Sequence, residues 1–137
     1  MNIALCISKF NYEFVEQIES SCFERLITLG VPEKNIRKFL VPGALELPIV
    51  LQKCAQSKKF DALIAIGAVI RGETYHFEVV SDTSSQGIMR VQLDYSIPII
   101  NAVLTTNNDE ETQERVKVKG AEAADCALQI LKTLAEI

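Results

Sequence analysis

The chain has 137 residues, which fits one domain of ordinary size. Hydrophobic residues make up 48% and charged residues 23%, so the chain can bury a core. The net charge of −4 leaves no basic stripe for a phosphate backbone, which argues against nucleic-acid binding. No apolar run approaches the roughly 18 residues that a membrane span needs, so we expect no membrane partner.

The cysteines and the N-terminus suggest a cellular compartment and argue against a metal site. Cysteines at 6, 22, 54 and 126 form no Cys-x-x-Cys pair, and the single histidine argues against a histidine-based metal site. We expect buried free thiols, with Cys6 in a strand and Cys22 and Cys126 on apolar helix faces. The N-terminus lacks the basic and apolar segments of a secretory signal, so we expect a cytoplasmic protein.

Strand and helix patterns alternate along the chain. Short apolar runs predict strands at residues 2–8, 35–41, 61–70 and 99–104. Amphipathic spacing predicts helices at 12–29, at 44–58, after Thr74 to about residue 94, and from Gly120 to Leu134. A polar, acid-rich loop and a short helix are predicted before Gly120.

This alternation predicts a single α/β domain over residues 1–137. The continuous apolar run 61–70 is typical of a strand buried on both faces. We therefore expect a flavodoxin-like three-layer sandwich, in which a four-stranded parallel sheet carries helices on both faces. Ligands bind such sheets beyond the carboxyl ends of the strands, so the four segments that follow the strands are the candidate sites.

Phe10 and Asn11 follow the first strand. An exposed ring here would be a stacking platform for a flat heterocycle, although an aromatic at a strand end more often serves as a core or lid residue. Asn11 has the residue type and position of a helix N-cap. From these residues alone, a structural role is the more common outcome for both.

Pro42 and Gly43 follow the second strand and predict a sharp bend where a ligand can approach the backbone. Glu46 lies shortly after, near the predicted helix start. An acid there either stabilises the helix N-terminus or accepts hydrogen bonds from the hydroxyl groups of a polyol.

The segment Gly67–Phe77 includes the end of the third strand and the residues after it, and it contains the only histidine. Thr74 is predicted to cap the next helix, whose free N–H groups would form an anion site. His76 would then lie one turn into the helix, beside any bound phosphate. A solitary histidine is often structural, but an imidazole that changes its charge near neutral pH at this position also suits general acid–base catalysis.

The fourth strand leads from Asn101 to Thr106 and on to three cations at positions 115, 117 and 119. Such a cluster is usually solvated surface. An arginine that reaches a phosphate would instead use its two-pronged guanidinium, which makes Arg115 the candidate.

Together these segments resemble the lumazine synthase family. Ser8-Lys9-Phe10-Asn11 resembles the family's Ser-Arg-Phe-Asn, and Val41–Pro48 resembles its Val-Pro-Gly-Ala-x-Glu-x-Pro. Gly67–Phe77 resembles its Gly-Ala-x-Ile-Arg-Gly-x-Thr-x-His-Phe, the most specific of the motifs. Pro98–Thr106 and Glu114-Arg115 are similar to its fourth strand and its Glu-Arg, with Asn101 where the family often has an aromatic residue.

The resemblance implies an activity and a set of site residues. The family condenses 5-amino-6-(D-ribitylamino)uracil with 3,4-dihydroxy-2-butanone 4-phosphate to give 6,7-dimethyl-8-ribityllumazine, the penultimate step of riboflavin biosynthesis. It implies that the pyrimidine and its ribityl chain bind at Phe10, Asn11, Gly43, Ala44, Leu45, Glu46, Ala68, Val69, Ile70 and Asn101. It implies that phosphate binds at Glu73, Thr74 and Arg115, with His76 as the proton carrier and no metal or cofactor.

The resemblance also implies a homo-oligomer whose active sites lie between adjacent subunits, with a functional link to riboflavin synthase. The stretch after Arg115 is four residues shorter than in many relatives, so we expect a pentamer or a pair of pentamers rather than an icosahedral shell. A non-catalytic lumazine or flavin carrier and a pure scaffold are the rival functions. A receiver-type signalling domain is rejected, because Asp61 lies at the start of its strand.

Overall fold

The computed structural model describes residues 1–137 as an alternation of four strands and four helices. The strands are β1 (Ile3–Ser8), β2 (Ile36–Val41), β3 (Ala62–Ile70) and β4 (Ile99–Thr106). The helices are α1 (Tyr12–Thr28), α2 (Leu47–Ser57), α3 (His76–Tyr95) and α4 (Asp109–Ala135). Short 3-10 turns at Glu33–Asn35 and Ala44–Glu46 precede β2 and α2.

The strands form one parallel sheet in the order β2-β1-β3-β4. The chain moves outward from β1 to β2 and then crosses back to β3, so β1 and β3 flank the point where the winding direction changes. The predicted four-stranded parallel α/β fold is therefore confirmed. Ligand sites of doubly wound sheets lie at this switch point, outside the carboxyl ends of the strands.

Helices cover both faces of the sheet. Side chains of β1 alternate between two buried clusters, with Ile3, Leu5 and Ile7 on the α1–α4 side and Ala4 and Cys6 on the α2–α3 side. Every residue of β1 is buried, which explains why this strand reads as a continuous apolar run rather than an alternating one.

The C-terminal segment differs from its prediction, because α4 is one continuous helix that begins at Asp109. The acid-rich stretch is its first turn, which Asn108 caps by accepting a hydrogen bond from the Glu111 amide at 2.9 Å. Gly120 does not start the helix but marks its crossing with α1: an added Cβ would lie 2.4 Å from the carbonyl oxygen of Ile18. The glycine persists mid-helix because only it allows this close approach.

Two other helices begin later than predicted. Ala44–Glu46 form a 3-10 turn, and α2 starts at Leu47 with Pro48 in its first turn. Tyr75, rather than Thr74, occupies the N-cap position of α3. Thr74 nevertheless accepts a hydrogen bond through its Oγ1 from the His76 amide, at 3.3 Å.

All four cysteines are free thiols, and three of them are buried. Burial raises the pKa of Cys22 to about 12. The predicted burial of Cys126 is wrong: its side chain is exposed. The apolar face of α4 runs through Ala123, Ala124 and Ala127, and the 100° turn per residue directs Cys126 away from it. No helix has the length and hydropathy to cross a bilayer.

Candidate active site

A cavity of about 400 Å³ lies at the switch point, beyond the carboxyl ends of β1, β2 and β3. Its walls come from the last residues of β1 and β3, from the segments that follow the three strands, and from the first turns of α3. Ten predicted site residues line it: Phe10, Gly43, Ala44, Leu45, Glu46, Ala68, Val69, Ile70, Thr74 and His76. Three of the four predicted strand ends thus converge on one space, whereas the end of β4 does not reach it.

The end of β3 gives the cavity a backbone wall. β1 pairs with β3 only as far as the Ile7–Ile66 pair, whereas β4 pairs with it up to Ile70. Gly67–Ile70 therefore have a sheet partner on the β4 side alone. Strand edges without a partner present N–H and C=O groups in a row, and such a row can bind the polar edge of a planar ring.

Phe10 stands at the mouth of this cavity with 70% of its surface exposed. Its amide donates to the carbonyl oxygen of Pro42 at 3.1 Å, which fixes the turn against the segment after β2. An exposed aromatic ring on a fixed backbone, beside an apolar wall, is suited to stacking against a flat ligand.

Asn11 occupies the N-cap position of α1, as expected, but its side chain makes no capping hydrogen bond. Its backbone is left-handed, with φ 59° and ψ 39°, and its side-chain Nδ2 donates to the carbonyl oxygen of Ala68 at 2.9 Å. Asn11 is therefore a tether between the Phe10 turn and the end of β3, and it does not itself line the cavity.

Glu46 and Gly43 form the wall after β2. The Glu46 amide donates to the Gly43 carbonyl oxygen at 3.1 Å, and its carboxylate folds back over the glycine. A Cβ at position 43 would lie 3.1 Å from Glu46 Oε1, so the absence of a side chain leaves room for the carboxylate. This exposed carboxylate can accept hydrogen bonds from ligand hydroxyl groups.

His76 begins α3 and lines the cavity beside Thr74 and Phe77. Its imidazole is exposed, whereas its amide is held by Thr74. The first amides of a helix have no partner inside the helix, so this end of the cavity favours an anion. An imidazole and an anion-binding helix start therefore share one end of the cavity.

The remaining predicted site residues lie outside this cavity. Glu73 is exposed on the loop before α3, and Asn101 is exposed on β4, where its Oδ1 accepts from the Val103 amide at 3.0 Å. Arg115 lies on the exposed side of α4, where Nη1 donates to the Glu111 carbonyl oxygen at 2.8 Å. The cavity lining contains no lysine or arginine.

Four lining residues were not predicted as site residues: Ser8, Gly72, Phe77 and Val80. Ser8 and Phe77 belong to motifs quoted above, but nothing in their spacing directs them to the cavity. Val80 lies one turn after His76 on α3, so the helical period places both on the same side once the helix start is known. No three His, Cys, Asp or Glu side chains converge to hold a metal ion.

The family model described as 6,7-dimethyl-8-ribityllumazine synthase matches residues 1–135. The chain belongs to this lumazine synthase family. A 6,7-dimethyl-8-ribityllumazine synthase from Methylobacillus flagellatus is 50% identical over 137 residues, covering 100% of this chain and 92% of the relative. A protein of the same name from Nitrosospira multiformis is 51% identical over 95% of this chain and 81% of its own length. A third protein of this name, from Paracidovorax citrulli, is 47% identical over 100% of this chain and 89% of its own length.

The lumazine synthase motifs and the cavity coincide. The segments Ser8–Asn11, Val41–Pro48 and Gly67–Phe77, which carry the resemblance, all contribute residues to the cavity wall. The fourth-strand motif and the Glu114-Arg115 pair do not. Family membership is thus confirmed over the whole chain, and its most specific motif, Gly67–Phe77, supplies the largest part of the pocket.

Proposed function

We propose that this chain is a 6,7-dimethyl-8-ribityllumazine synthase that works in the cavity after β1, β2 and β3. The observation that carries the proposal is that three of the sequence motifs that carry the family resemblance line a single cavity. The substrates are 5-amino-6-(D-ribitylamino)uracil and 3,4-dihydroxy-2-butanone 4-phosphate, and the product is the lumazine.

The pyrimidine is proposed to stack on Phe10 with its polar edge on the backbone of Ala68–Ile70. Two features support this orientation: the ring is exposed at the cavity mouth, and no strand pairs with this part of β3 on the β1 side, where Asn11 occupies only the Ala68 carbonyl oxygen. A stacked ring brought against a fixed row of N–H and C=O groups is held both in plane and in rotation. Asn11 contributes through its tether to Ala68.

The ribityl chain is proposed to lie along Gly43, Ala44, Leu45 and Glu46. Gly43 lets the chain approach the backbone, and the Glu46 carboxylate accepts hydrogen bonds from hydroxyl groups. A polyol is suited to such a wall, because each hydroxyl that loses water on binding must find a new partner.

The phosphate is proposed to bind at Glu73 and Thr74, at the start of α3, and to Arg115 of an adjacent subunit. The supporting observation is one of charge: the lining contains Glu46 and no lysine or arginine. A phosphate group would meet helix amides there but no full positive charge from its own chain. Arg115 and Asn101 are exposed outside their own cavity, where a neighbouring copy can use them.

His76 is proposed to carry protons during the condensation. The pyrimidine amine attacks the ketone and loses water to give an imine; phosphate then leaves, and an enol forms and tautomerises. The second amine closes the ring with loss of a second water. His76, beside the phosphate end of the cavity, can give and take protons in these steps. Holding two reactive substrates in register supplies much of the remaining acceleration.

The assembly is proposed to be a pentamer or a pair of pentamers, with each site shared between adjacent subunits. A phosphate site without a cation of its own supports sharing. Light scattering should give the mass of five or ten chains, whereas a megadalton particle would refute the proposal. A cytoplasmic location and a link to riboflavin synthase, the enzyme that consumes the product, stay predictions.

Turnover tests the function directly. The two substrates should give lumazine absorbance faster than the uncatalysed reaction, with many turnovers for each chain. A non-catalytic carrier would bind lumazine or flavin at the same cavity but leave the background rate unchanged. Background-level product formation together with tight lumazine binding would therefore overturn the synthase proposal in favour of the carrier.

A further inference from the structure

Arg71 follows β3 directly, yet its side chain does not line the cavity. Its guanidinium makes three contacts. Nη1 forms an ion pair with Glu78 Oε2, and Nε donates to Asn107 Oδ1 at 3.0 Å. The guanidinium carbon also lies 4.3 Å from the ring centroid of Phe77. A side chain that is 45% exposed is thus engaged with three partners from two separate segments.

Two of these partners belong to the first turn of α3. Phe77 lines the cavity and rests on the guanidinium, and Glu78 is the acid of the first helical turn. The backbone amide of Arg71 donates to the Thr106 carbonyl oxygen at 2.9 Å. Arg71 therefore fixes both ends of the loop 72–75, which precedes His76.

The loop 72–75 has little else to fix it. All four of its residues are exposed, and a Cβ at Gly72 would meet nothing within 4 Å. Its one side-chain hydrogen bond is the local bond from the His76 amide to Thr74. The position of the loop 72–75, where the phosphate is proposed to bind, therefore depends on the anchors at its two ends.

The third partner connects Arg71 to the start of α4. Asn107, which accepts from Arg71, donates through its own amide to Glu111 Oε1 at 3.1 Å. Glu111 is held by the Asn108 cap, and its carbonyl oxygen accepts from Arg115 Nη1. A chain of hydrogen bonds thus runs from the end of β3 to the turn of α4 that carries Arg115.

We propose that Arg71 is a positioning residue that holds the phosphate loop 72–75 and the first turn of α4 in register. The inference rests on the proposed function, which places the sugar phosphate at this loop. Through the same contacts, Arg71 orients His76 in its own cavity and the Arg115 side chain that a neighbouring copy uses. Lysine cannot replace it, because a single ammonium cannot reproduce the planar fork and the stacking surface together.

Kinetics of Arg71→Lys and Asn107→Ala test the proposal against direct phosphate binding. Arg71→Lys should raise KM for the butanone phosphate about tenfold, the scale of one lost charge-assisted bond, with KM for the pyrimidine unchanged. Asn107→Ala should raise the same KM severalfold, and the double variant should be no worse than Arg71→Lys alone. Arg90→Lys, which alters an exposed arginine paired with Asp94 on α3, is the matched control and should leave both KM values unchanged.

Two other roles of Arg71, direct phosphate binding and a purely structural role, predict different kinetics. If Arg71 bound phosphate directly, Asn107→Ala would leave the KM for the butanone phosphate unchanged; if Arg71 were merely structural, kcat would fall with the fraction of folded enzyme while KM stayed constant. Either result would overturn the inference. Calorimetry with inorganic phosphate tests the positioning role of Arg71 independently of the proposed synthase activity. Weaker phosphate binding in Arg71→Lys and Asn107→Ala would support positioning even if the wild type made no lumazine.

Discussion

The side-chain amide of Asn11 donates a 2.9 Å hydrogen bond to the carbonyl oxygen of Ala68. The residue before Asn11 carries the exposed ring at the cavity mouth, and Ala68 lies in the part of β3 that β1 leaves unpaired. One bond therefore sets the separation between the proposed stacking ring and the proposed backbone wall. The cost is a left-handed backbone at Asn11, which asparagine tolerates better than most residues.

Two substitutions of Asn11 distinguish the contribution of its side-chain hydrogen bond from that of its left-handed backbone. Asn11→Gly keeps the left-handed backbone accessible but loses the bond, which should cost about 1 kcal/mol of unfolding free energy. Asn11→Ala loses both, and should be less stable than the glycine variant by about 1 kcal/mol. Both should raise KM for the pyrimidine severalfold. Urea unfolding and steady-state kinetics measure these effects, and unchanged pyrimidine KM in both variants would contradict the tether's role.

Phe10 should matter for binding and hardly at all for stability. Because 70% of its surface is exposed, Phe10→Ala removes little buried area and should leave the unfolding midpoint nearly unchanged. Loss of the stacking surface should raise the pyrimidine KM about tenfold. Phe10→Tyr, which keeps the ring, is the matched control and should behave as the wild type. Equal pyrimidine KM values for the alanine and tyrosine variants would show that the pyrimidine does not stack on the Phe10 ring.

His76 should control the pH dependence of turnover. His76→Ala should slow turnover by about 100-fold rather than abolish it, since the substrates remain positioned. His76→Gln keeps a polar side chain of similar reach that cannot carry a proton, so it should lose as much. Rates measured across neutral pH, from about 5.5 to about 8.5, give the test. A pH–rate profile in His76→Ala identical to the wild type would eliminate the proton-carrier role.

Cys22 should make the protein less stable as the solution becomes alkaline. Burial raises the pKa of its thiol from 9.0 to about 12, so between these values the folded state keeps a proton that the unfolded state releases. The unfolding free energy therefore falls as pH rises through this window, by up to about 1.4 kcal/mol per pH unit. Cys22→Ala should show a shallower slope in denaturant unfolding, whereas Cys126→Ala, at an exposed position, should keep the wild-type slope. The same pH dependence of the unfolding free energy in the wild type and both variants would contradict a contribution from the Cys22 thiol.

The fold could be predicted from sequence because its strands are buried on both faces. All four predicted strands agree with the observed ones to within two residues, since a continuous apolar run has few alternatives to the centre of a parallel sheet. The unity of α4 could not be predicted. In the sequence, Gly120 looks like the end of one helix and the start of another. Only the folded structure shows that this glycine lies inside α4, where the backbone of α1 packs closely against it.

The candidate site could be predicted in outline but not in its contacts. The rule that ligands bind beyond parallel strand ends directed attention to three segments that do converge, yet it could not show that β4 ends outside the cavity. The tether from Asn11 to Ala68 and the bond from Arg71 to Asn107 join residues that lie 57 and 36 positions apart. Such pairs have no local pattern, so they depend on the folded structure.

The most direct test of the central claim is to measure lumazine and inorganic phosphate together during multiple turnovers of the wild-type chain. The proposed condensation releases one phosphate and two waters for each lumazine. We expect both products to rise in a one-to-one ratio, at a rate proportional to the amount of protein and well above the uncatalysed reaction. Phosphate release without lumazine, or lumazine formation that does not depend on the protein, would contradict the account.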